Sequence, residues 1–370
     1  MSFFQISRDS LPDLLAALYD RRELFWVNSS GEGKPRFSRA IKDEIPDYVL
    51  PPYRGVEPIK GILFPPKQEV AEYPEPSRKI LDIEPKERAI FGITACDLEG
   101  IRIFDRVFME DDEFIDPFYV ANRKNLFIVT VDCTDIYPSC FCSLVGGQPF
   151  PENGFDINLT PVENSYLVET GTTDGEELIR EIGAHEAPKD LITSREKIRK
   201  AVISRLEKQN QPFETPKDFI DLVTENQKQA KSYEHHGSTC VSCGACTYIC
   251  PGCFCFAISD NPLENGIFQR STTWDSCQFS GFSRMAGMLN PRGKMVQRFA
   301  HRYNHKFFHY PWRYGGHPAC VGCGRCIDNC MGRIDMRATL RDLSAQSVSA
   351  MYPAPSPLPG ENPTGQTDSK

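Results

Sequence analysis

The chain has 370 residues, 15 of which are cysteine, and its formal net charge at pH 7 is −8. This length suffices for two or three domains, and a hydrophobic fraction of 40% can build a core without disulfides. The acidic balance argues against a general affinity for nucleic acid.

The first residues and the apolar segments indicate in which cellular compartment, and so in which redox state, the cysteines are found. The start, MSFFQISRDSLPDLL, lacks the basic and apolar parts of a secretory signal. No stretch approaches the roughly 18–20 apolar residues that span a bilayer. We therefore expect a cytoplasmic protein without membrane contact, whose thiols are reduced. Its cysteines are then metal ligands or core residues rather than disulfides.

Residues 1–232 predict an α/β domain. The expected elements are a helix near 11–22, a short strand at 60–64, a buried strand at 88–95, a helix at 97–108 and a buried strand at 126–131. Two apolar strands separated by a helix are the pattern of a parallel β-α-β unit. Beyond them the sequence predicts a polar β region at 152–172 and charged helices at 176–232.

One cysteine spacing occurs twice in the last third of the chain. Both copies read C-x2-C-x2-C-x3-C: Cys240, Cys243, Cys246 and Cys250, then Cys320, Cys323, Cys326 and Cys330. Such runs bind [4Fe–4S] clusters, and with two runs the fourth cysteine ligates the other cluster. We assign one cluster to Cys240, Cys243, Cys246 and Cys330, and a second to Cys320, Cys323, Cys326 and Cys250.

Two other interpretations of this motif fit less well. Structural zinc sites use C-x2-C pairs separated by a dozen or more residues, unlike the compact runs seen here. Cys246, Cys250 and Cys253 also match the C-x3-C-x2-C spacing of radical-SAM enzymes, but no repeated βα pattern follows them. Residues 233–345 are therefore predicted to form a mainly α-helical ferredoxin-like domain with two [4Fe–4S] clusters. The Pro- and Gly-rich residues 346–370 predict a disordered tail.

Four further cysteines are expected to converge in the α/β domain. Cys96 follows the first buried strand directly, Cys133 follows the second by two residues, and Cys140 and Cys142 lie in the next loop. The carboxyl ends of parallel strands share one edge of a sheet, where ligands bind. This arrangement predicts a third [4Fe–4S] cluster, with a four-cysteine zinc site or buried free cysteines as the alternatives.

The remaining cysteines and the charge pattern are less specific. Cys253 and Cys255 lie among apolar residues and favour a core position, whereas Cys277 is a candidate for lining a cluster pocket.

No Asp or Glu occurs between Asp275 and Asp328, while Arg and Lys recur. We expect either a positive face for an acidic redox partner or a solvated helix face. His301, His305 and His309 share a helix face, where core or exposed positions are favoured over metal ligation.

No G-x-G-x-x-G follows a strand and no P-loop is present, so we expect neither FAD nor NAD in this chain. The chain then resembles a relay rather than a catalyst. The alternative is a self-contained iron–sulfur reductase that binds a small sulfur compound near Cys96.

The segments ITACDLEGI, DPFY, LFIVTVDCTDIYPSCFC and TWDSCQF, with the doubled motif, resemble one family of iron–sulfur subunits. It comprises the β-subunits of cytosolic sulfhydrogenases, the A subunit of anaerobic sulfite reductase and the B subunit of heterodisulfide-reductase-associated flavin oxidoreductases. The resemblance implies a subunit that carries electrons between two partners. One partner is an FAD- and NAD(P)-binding subunit that resembles ferredoxin reductase, and the other is a hydrogenase, sulfite reductase or heterodisulfide reductase module.

Overall fold

The computed structural model describes residues 2–29, 33–73, 79–80, 86–227 and 230–344. The tail predicted at 346–370 lies outside the described residues. No helix in the described part of the chain combines the length and the apolar character needed to cross a bilayer.

The strands form two sheets. In chain order they are β1 Ser2–Ser7, β2 Glu23–Asn28, β3 Arg36–Arg39, β4 Lys67–Tyr73, β5 Lys79–Ile80, β6 Arg88–Ile93, β7 Leu126–Val131, β8 Ile157–Val162, β9 Ser165–Thr170, β10 His185–Glu186, β11 Phe256–Pro262 and β12 Phe268–Trp274. The larger sheet has the order β10-β1-β9-β8-β7-β6-β2-β3, and the smaller one has the order β11-β12-β4-β5. In the larger sheet β2, β6, β7 and β8 are parallel, and the other pairs are antiparallel.

The helices cover both faces of the larger sheet and build most of the C-terminal region. They are α1 Leu11–Arg21, α2 Ala95–Phe108, α3 Pro117–Lys124, α4 Thr173–Glu181, α5 Lys189–Asn210, α6 Phe219–Asn226, α7 Ala230–Gly237, α8 Ala245–Tyr248, α9 Met295–Asn304, α10 Tyr310–Arg313, α11 Arg325–Asp328 and α12 Met336–Ser344. A π-helical turn, His305–His309, joins α9 to α10.

The side chains of β6 and β7 point alternately to the two faces of the larger sheet, and this explains why helices pack on both faces. Phe91 and Val129 face one side and pack with α1 and α4. Ile90 and Ile128 face the other side and pack with α2. Successive residues of a strand point to opposite faces, so a fully apolar strand supports a core on each side. A third core joins α6, α7, α9 and α12 in the C-terminal region.

The predicted β-α-β unit is confirmed: β6 and β7 are parallel and are connected through α2 and α3. The strand expected at 60–64 is wrong, because a 3₁₀ turn, Ile59–Ile62, occupies that segment. A short apolar run does not distinguish strand from helical turn by its periodicity. The region predicted at 152–172 is the β8–β9 hairpin, as expected, but its polar residues are largely interior, as Asn158 and Glu169 illustrate.

The predicted C-terminal domain contains a hairpin besides its helices. Strands β11 and β12 pair with each other, and β12 also pairs with β4 from the N-terminal region. The two regions therefore share the smaller sheet. This sharing brings the turn Ile59–Ile62 next to the doubled cysteine motif, as described below.

Candidate iron–sulfur sites

The two cysteine motifs have the same backbone conformation. Ser242 and Gly322, each before the second cysteine, have φ of 52° and 64°. Gly244 and Gly324, each after the second cysteine, have φ of 74° and 72°. The single-turn helices α8 and α11 follow and pack against each other. The repeat seen in the sequence is therefore also a repeat in structure.

The end of each motif lies beside the start of the other. The hydroxyl of Thr239, just before the first motif, donates to the carbonyl of Gly332, just after the second, at 2.8 Å. In the mirrored position, a Cβ built on Gly252 would lie 3.3 Å from the carbonyl oxygen of Ala319. This reciprocal packing fits the predicted exchange of the fourth cysteine between the two sets.

The second set, Cys320, Cys323, Cys326 and Cys250, lies in the interior. Burial raises the pKa of Cys320 to about 12, and the nearby thiols of Cys326 and Cys250 act in the same direction. Burial also raises the pKa of Cys326, with further contributions from Cys323 and Cys250. The structure thus brings Cys250 into the neighbourhood of the second motif, as the sequence predicted.

The first set, Cys240, Cys243, Cys246 and Cys330, lies nearer the surface. Cys243 is exposed, and Val241 and Met331, which follow cysteines of this set, are 64% and 75% exposed. At the equivalent positions of the second motif, Val321 and Cys323 are each only 7% exposed. The two motifs therefore share a backbone but differ in their access to solvent.

The four cysteines of the α/β domain converge at the carboxyl edge of the parallel strands. Cys96 lies in the first turn of α2 directly after β6, and Cys133 follows β7. Burial raises the pKa of Cys133, and the nearby thiols of Cys96, Cys140 and Cys142 add to the shift. The structure brings together the set that strand topology predicted, and its ligation of iron stays a prediction.

The third set touches the second motif through its backbone. The amide of Phe141 donates to the carbonyl of Gly322 at 2.7 Å. A Cβ on Gly322 would lie 2.4 Å from the Cα of Cys142, and one on Gly324 would lie 2.1 Å from the carbonyl oxygen of Ser139. Both glycines have positive φ, but Ser242 takes this conformation in the first motif, so at position 322 it is the lack of space for a side chain that requires glycine. The second and third sets are thus immediate neighbours.

The stretch without acidic residues proves to be mainly an internal feature. Its buried cations are Arg298, Arg302, Lys306 and Arg325. Arg284 and Lys294 are exposed, and Arg313 pairs with Asp111 at 2.9 Å. Neither a positive outer face nor a solvated helix face describes the whole stretch, because Arg302, Lys306 and Arg325 lie near cysteines in the interior.

Two of these buried arginines have side-chain nitrogens without a partner. In Arg302 they are Nε and Nη2, and in Arg325 the nitrogen is Nη1. Arg302 lies within electrostatic reach of Cys246 and Cys326, and therefore between the first and second sets. Arg325 likewise lies near Cys323 and Cys96, between the second and third sets. A buried, unpaired donor is costly, so each position calls for a negatively charged acceptor.

A thiolate-ligated iron–sulfur cluster supplies such an acceptor through its sulfur atoms. Lys306 fits the same role, because its Nζ lies 3.4 Å from Cys250 Sγ and 2.6 Å from the carbonyl oxygen of Ala319. The donor set and the orphaned cations therefore fit iron–sulfur clusters. Within the described ranges, no group of three or more His, Cys, Asp or Glu side chains is arranged to hold a single metal ion.

The predicted alignment of the three histidines is confirmed. The ring of His301 lies 6.0 Å from that of His305 and 6.1 Å from that of His309. Burial lowers the pKa of His301 to about 4 and that of His305 to about 3, so both are neutral at pH 7. His301 and His305 line a cavity together with aromatic side chains.

Sequence reasoning missed three charged residues from the N-terminal region. Arg54 donates to the carbonyl of Cys323 and, at 3.1 Å, to the hydroxyl of Ser139. Lys60 Nζ donates to the carbonyls of Thr247 and Cys253 at 3.0 and 2.8 Å.

Asp97 accepts from Arg325 Nη2 at 2.9 Å, and both side chains of this pair are fully buried. Of the three residues, only Asp97 could have been suspected from the sequence, because it directly follows Cys96. The roles of Arg54 and Lys60 depend on tertiary contacts that the sequence pattern does not reveal.

The comparisons with known proteins agree with this geometry. Residues 239–334 match the family model described as a 4Fe-4S dicluster domain. Over 295 residues, the chain is 32% identical to "Sulfhydrogenase 2 subunit beta" of Pyrococcus furiosus. The match covers 78% of this chain and 80% of that relative. No solved structure matches the chain.

Proposed function

This chain belongs to the family of the sulfhydrogenase beta subunits, and we propose that it is an iron–sulfur electron-transfer subunit of a multi-subunit oxidoreductase. The observation that carries the proposal is the arrangement of the three cysteine sets. They run from a first set near the surface, through a more buried second set, to a third set at the carboxyl edge of the parallel strands. A continuous series of redox sites is what a relay requires.

The proposed ligands are the twelve cysteines of the three sets. Cys240, Cys243, Cys246 and Cys330 hold the outer [4Fe–4S] cluster. Cys320, Cys323, Cys326 and Cys250 hold the inner one. Cys96, Cys133, Cys140 and Cys142 hold the third. When bound, these clusters supply one-electron chemistry. The protein contributes spacing and burial. Arg302 and Arg325 would stabilise the added negative charge between neighbouring sites, and Lys306 would do so at the inner site.

The proposed partners are an FAD- and NAD(P)-binding subunit similar to ferredoxin reductase and a terminal module. Of the hydrogenase, sulfite reductase and heterodisulfide reductase alternatives, hydrogenase is favoured because the relative is named as a sulfhydrogenase subunit. We place one partner at the outer set, where the exposed apolar side chains of Val241 and Met331 flank the cysteines. The cytoplasmic location stays a prediction from the sequence.

The test is coupled turnover in the complex, purified without oxygen. Cys243→Ser and Cys323→Ser are expected to stop electron flow from nicotinamide to the terminal acceptor, while each partner still reacts with artificial dyes. Thr239→Ser, which keeps its hydroxyl next to the same motif, is the control and retains turnover. Unchanged coupled turnover in either cysteine variant would contradict the proposal.

A specific observation also favours the alternative of a self-contained reductase. A cavity of about 340 Å³ opens between the third and second sets, and Cys96, Cys142, Cys320, Arg102, Arg106 and His317 are among its lining residues. A small sulfur compound would meet both thiols and cations there. The isolated chain, supplied with reduced viologen and either sulfite or polysulfide, decides between the two functions. A relay without a substrate site in this cavity leaves both compounds unreduced.

A further inference from the structure

Three cysteines outside the proposed ligand sets share a second cavity. It measures about 260 Å³ and is lined by Cys253, Cys255, Cys277, Phe254, Phe256, Phe282, His301, His305, Arg302 and Lys306. The sequence favoured core positions for Cys253 and Cys255, but a cavity wall is a different environment. Three aromatic rings and two neutral histidines make most of its wall apolar, and Arg302 and Lys306 are its charged residues.

Two of these thiols form a pair at the open end of the β11–β12 hairpin. Phe256 of β11 pairs with Trp274 of β12, and the amide of Asp275 donates to the carbonyl of Cys255 at 2.9 Å. This register places Cys277 close to Cys255, and both residues line the same cavity.

We propose that Cys255 and Cys277 form a redox-active dithiol that exchanges with a small apolar disulfide bound in this cavity. The inference rests on the proposed function, because the relay is the source of its electrons. Cys253 provides the connection. Its amide donates to the carbonyl of Cys250, a proposed ligand of the inner set, at 3.4 Å, and it lies two residues from Cys255.

The two thiols differ in the way that an exchanging pair requires. Interaction with Cys255 lowers the pKa of Cys277 to about 6, and the Gln278 amide and the charge of Arg302 act in the same direction. Gln278 Nε2 lies 3.4 Å from Cys277 Sγ. Interaction with Cys277 raises the pKa of Cys255. Cys277 is therefore the attacking thiolate and Cys255 the resolving thiol.

The reaction balances in two steps. Cys277 Sγ bonds to one sulfur of the substrate, the substrate S–S bond breaks, and the first thiol leaves with a proton. Cys255 Sγ then bonds to Cys277 Sγ, and the second thiol leaves with a proton. Two electrons, delivered singly by the relay, and two protons return the Cys255–Cys277 disulfide to the dithiol.

The experiment uses the anaerobic holoprotein and 4,4′-dithiodipyridine, a neutral aromatic disulfide whose released thione absorbs light. The wild type is expected to release two thiones per chain in a fast phase and to form a Cys255–Cys277 disulfide in the peptide map. Cys255→Ala should release one and keep a mixed disulfide on Cys277. Cys277→Ala should slow the fast phase by about tenfold or more. The wild-type rate should rise with pH through an inflection near 6.

Three results would overturn the proposal. One is a fast phase that is unchanged in Cys277→Ala. Another is an adduct that maps to a cluster cysteine. The third is a loss of about four iron atoms per chain in Cys255→Ala or Cys277→Ala, which would make these residues cluster ligands. Because the exchange uses no partner, it tests the pair separately from the relay. If exchange occurs but reduction through the complex fails, the proposed function is at fault.

Discussion

The two copies of the cysteine motif have the same backbone conformation but differ in how far they are exposed to solvent. The first copy is at the surface, with Cys243 exposed and Val241 64% exposed. The second is enclosed by the α/β domain, and Val321 at the matching position is 7% exposed. The motif therefore determines which cofactor fits, whereas its surroundings determine the role. The outer copy is placed to meet a partner, and the inner copy joins the other sites.

Small sequence differences produce this contrast. The second copy has Gly322 where the first has Ser242, and this glycine lets the loop around Cys142 approach its backbone. It also has Arg325 where the first has Ala245, and this arginine forms a buried pair with Asp97. The following predictions use these matched positions, in order of expected effect.

The largest effect is expected from cysteine replacement in the inner copy. Cys323→Ser should stop coupled turnover, remove about four iron atoms and destabilise the fold by several kcal/mol, because three chain segments meet there. Cys243→Ser should stop turnover with the same iron loss but a smaller loss of stability. Iron analysis and anaerobic denaturation measure both. Equal destabilisation by the two variants would remove the distinction between the copies.

Arg325→Met should cost about 3–5 kcal/mol of unfolding free energy, because it leaves the carboxylate of Asp97 buried without its partner. Ala245→Met, at the matching position of the outer copy, should change stability by less than about 1 kcal/mol. The double variant Asp97→Leu, Arg325→Met should recover part of the loss. A double variant no more stable than Arg325→Met would show that the charge of Asp97 is not the cause.

Gly322→Ala should cost about 2 kcal/mol or more, since its Cβ would lie 2.4 Å from the Cα of Cys142. Iron from the third set should be lost with it. Ser242→Ala, in the same conformation but without this neighbour, should cost only about 1 kcal/mol, for the hydrogen bond that Arg298 Nη2 donates to its hydroxyl at 3.3 Å. Denaturation curves and iron content test the pair, and a neutral Gly322→Ala would contradict the close packing of the second and third sets.

The smallest effect on stability is expected at the outer surface. Met331→Glu should leave the unfolding free energy within about 0.5 kcal/mol, because the side chain is 75% exposed. It should raise the apparent KM for the partner several-fold by placing a charge in an apolar contact. Met331→Leu is the matched control. If Met331→Glu behaves like the control in coupled assays, the partner docks elsewhere.

The sequence predicted the parts of the molecule that depend on local pattern. Spacing was enough to find the doubled motif, and the rule for parallel strands was enough to bring Cys96 near Cys133. It did not predict that Lys60 would reach the carbonyls beside the first motif. Its segment was expected to be a strand, and a buried lysine is identified only by the acceptors around it. The inward direction of Arg302 and Arg325 likewise follows from packing between distant segments.

The difference in burial between the two motifs was also beyond the sequence. Their spacing is identical, and exposure depends on which copy the loop 139–142 covers. The cavity beside Cys277 arises in the same way. It requires the β11–β12 hairpin and α9 to face each other. The spacing of apolar residues within either element does not reveal which other element packs against it.

Iron content tests the three-site account most directly. The account predicts about 12 iron atoms in the anaerobically purified wild-type chain and about 8 in Cys133→Ala, with the outer and inner sets retained. About 8 in both proteins would contradict it, because the third set would then hold no cluster and the relay would end at the inner site.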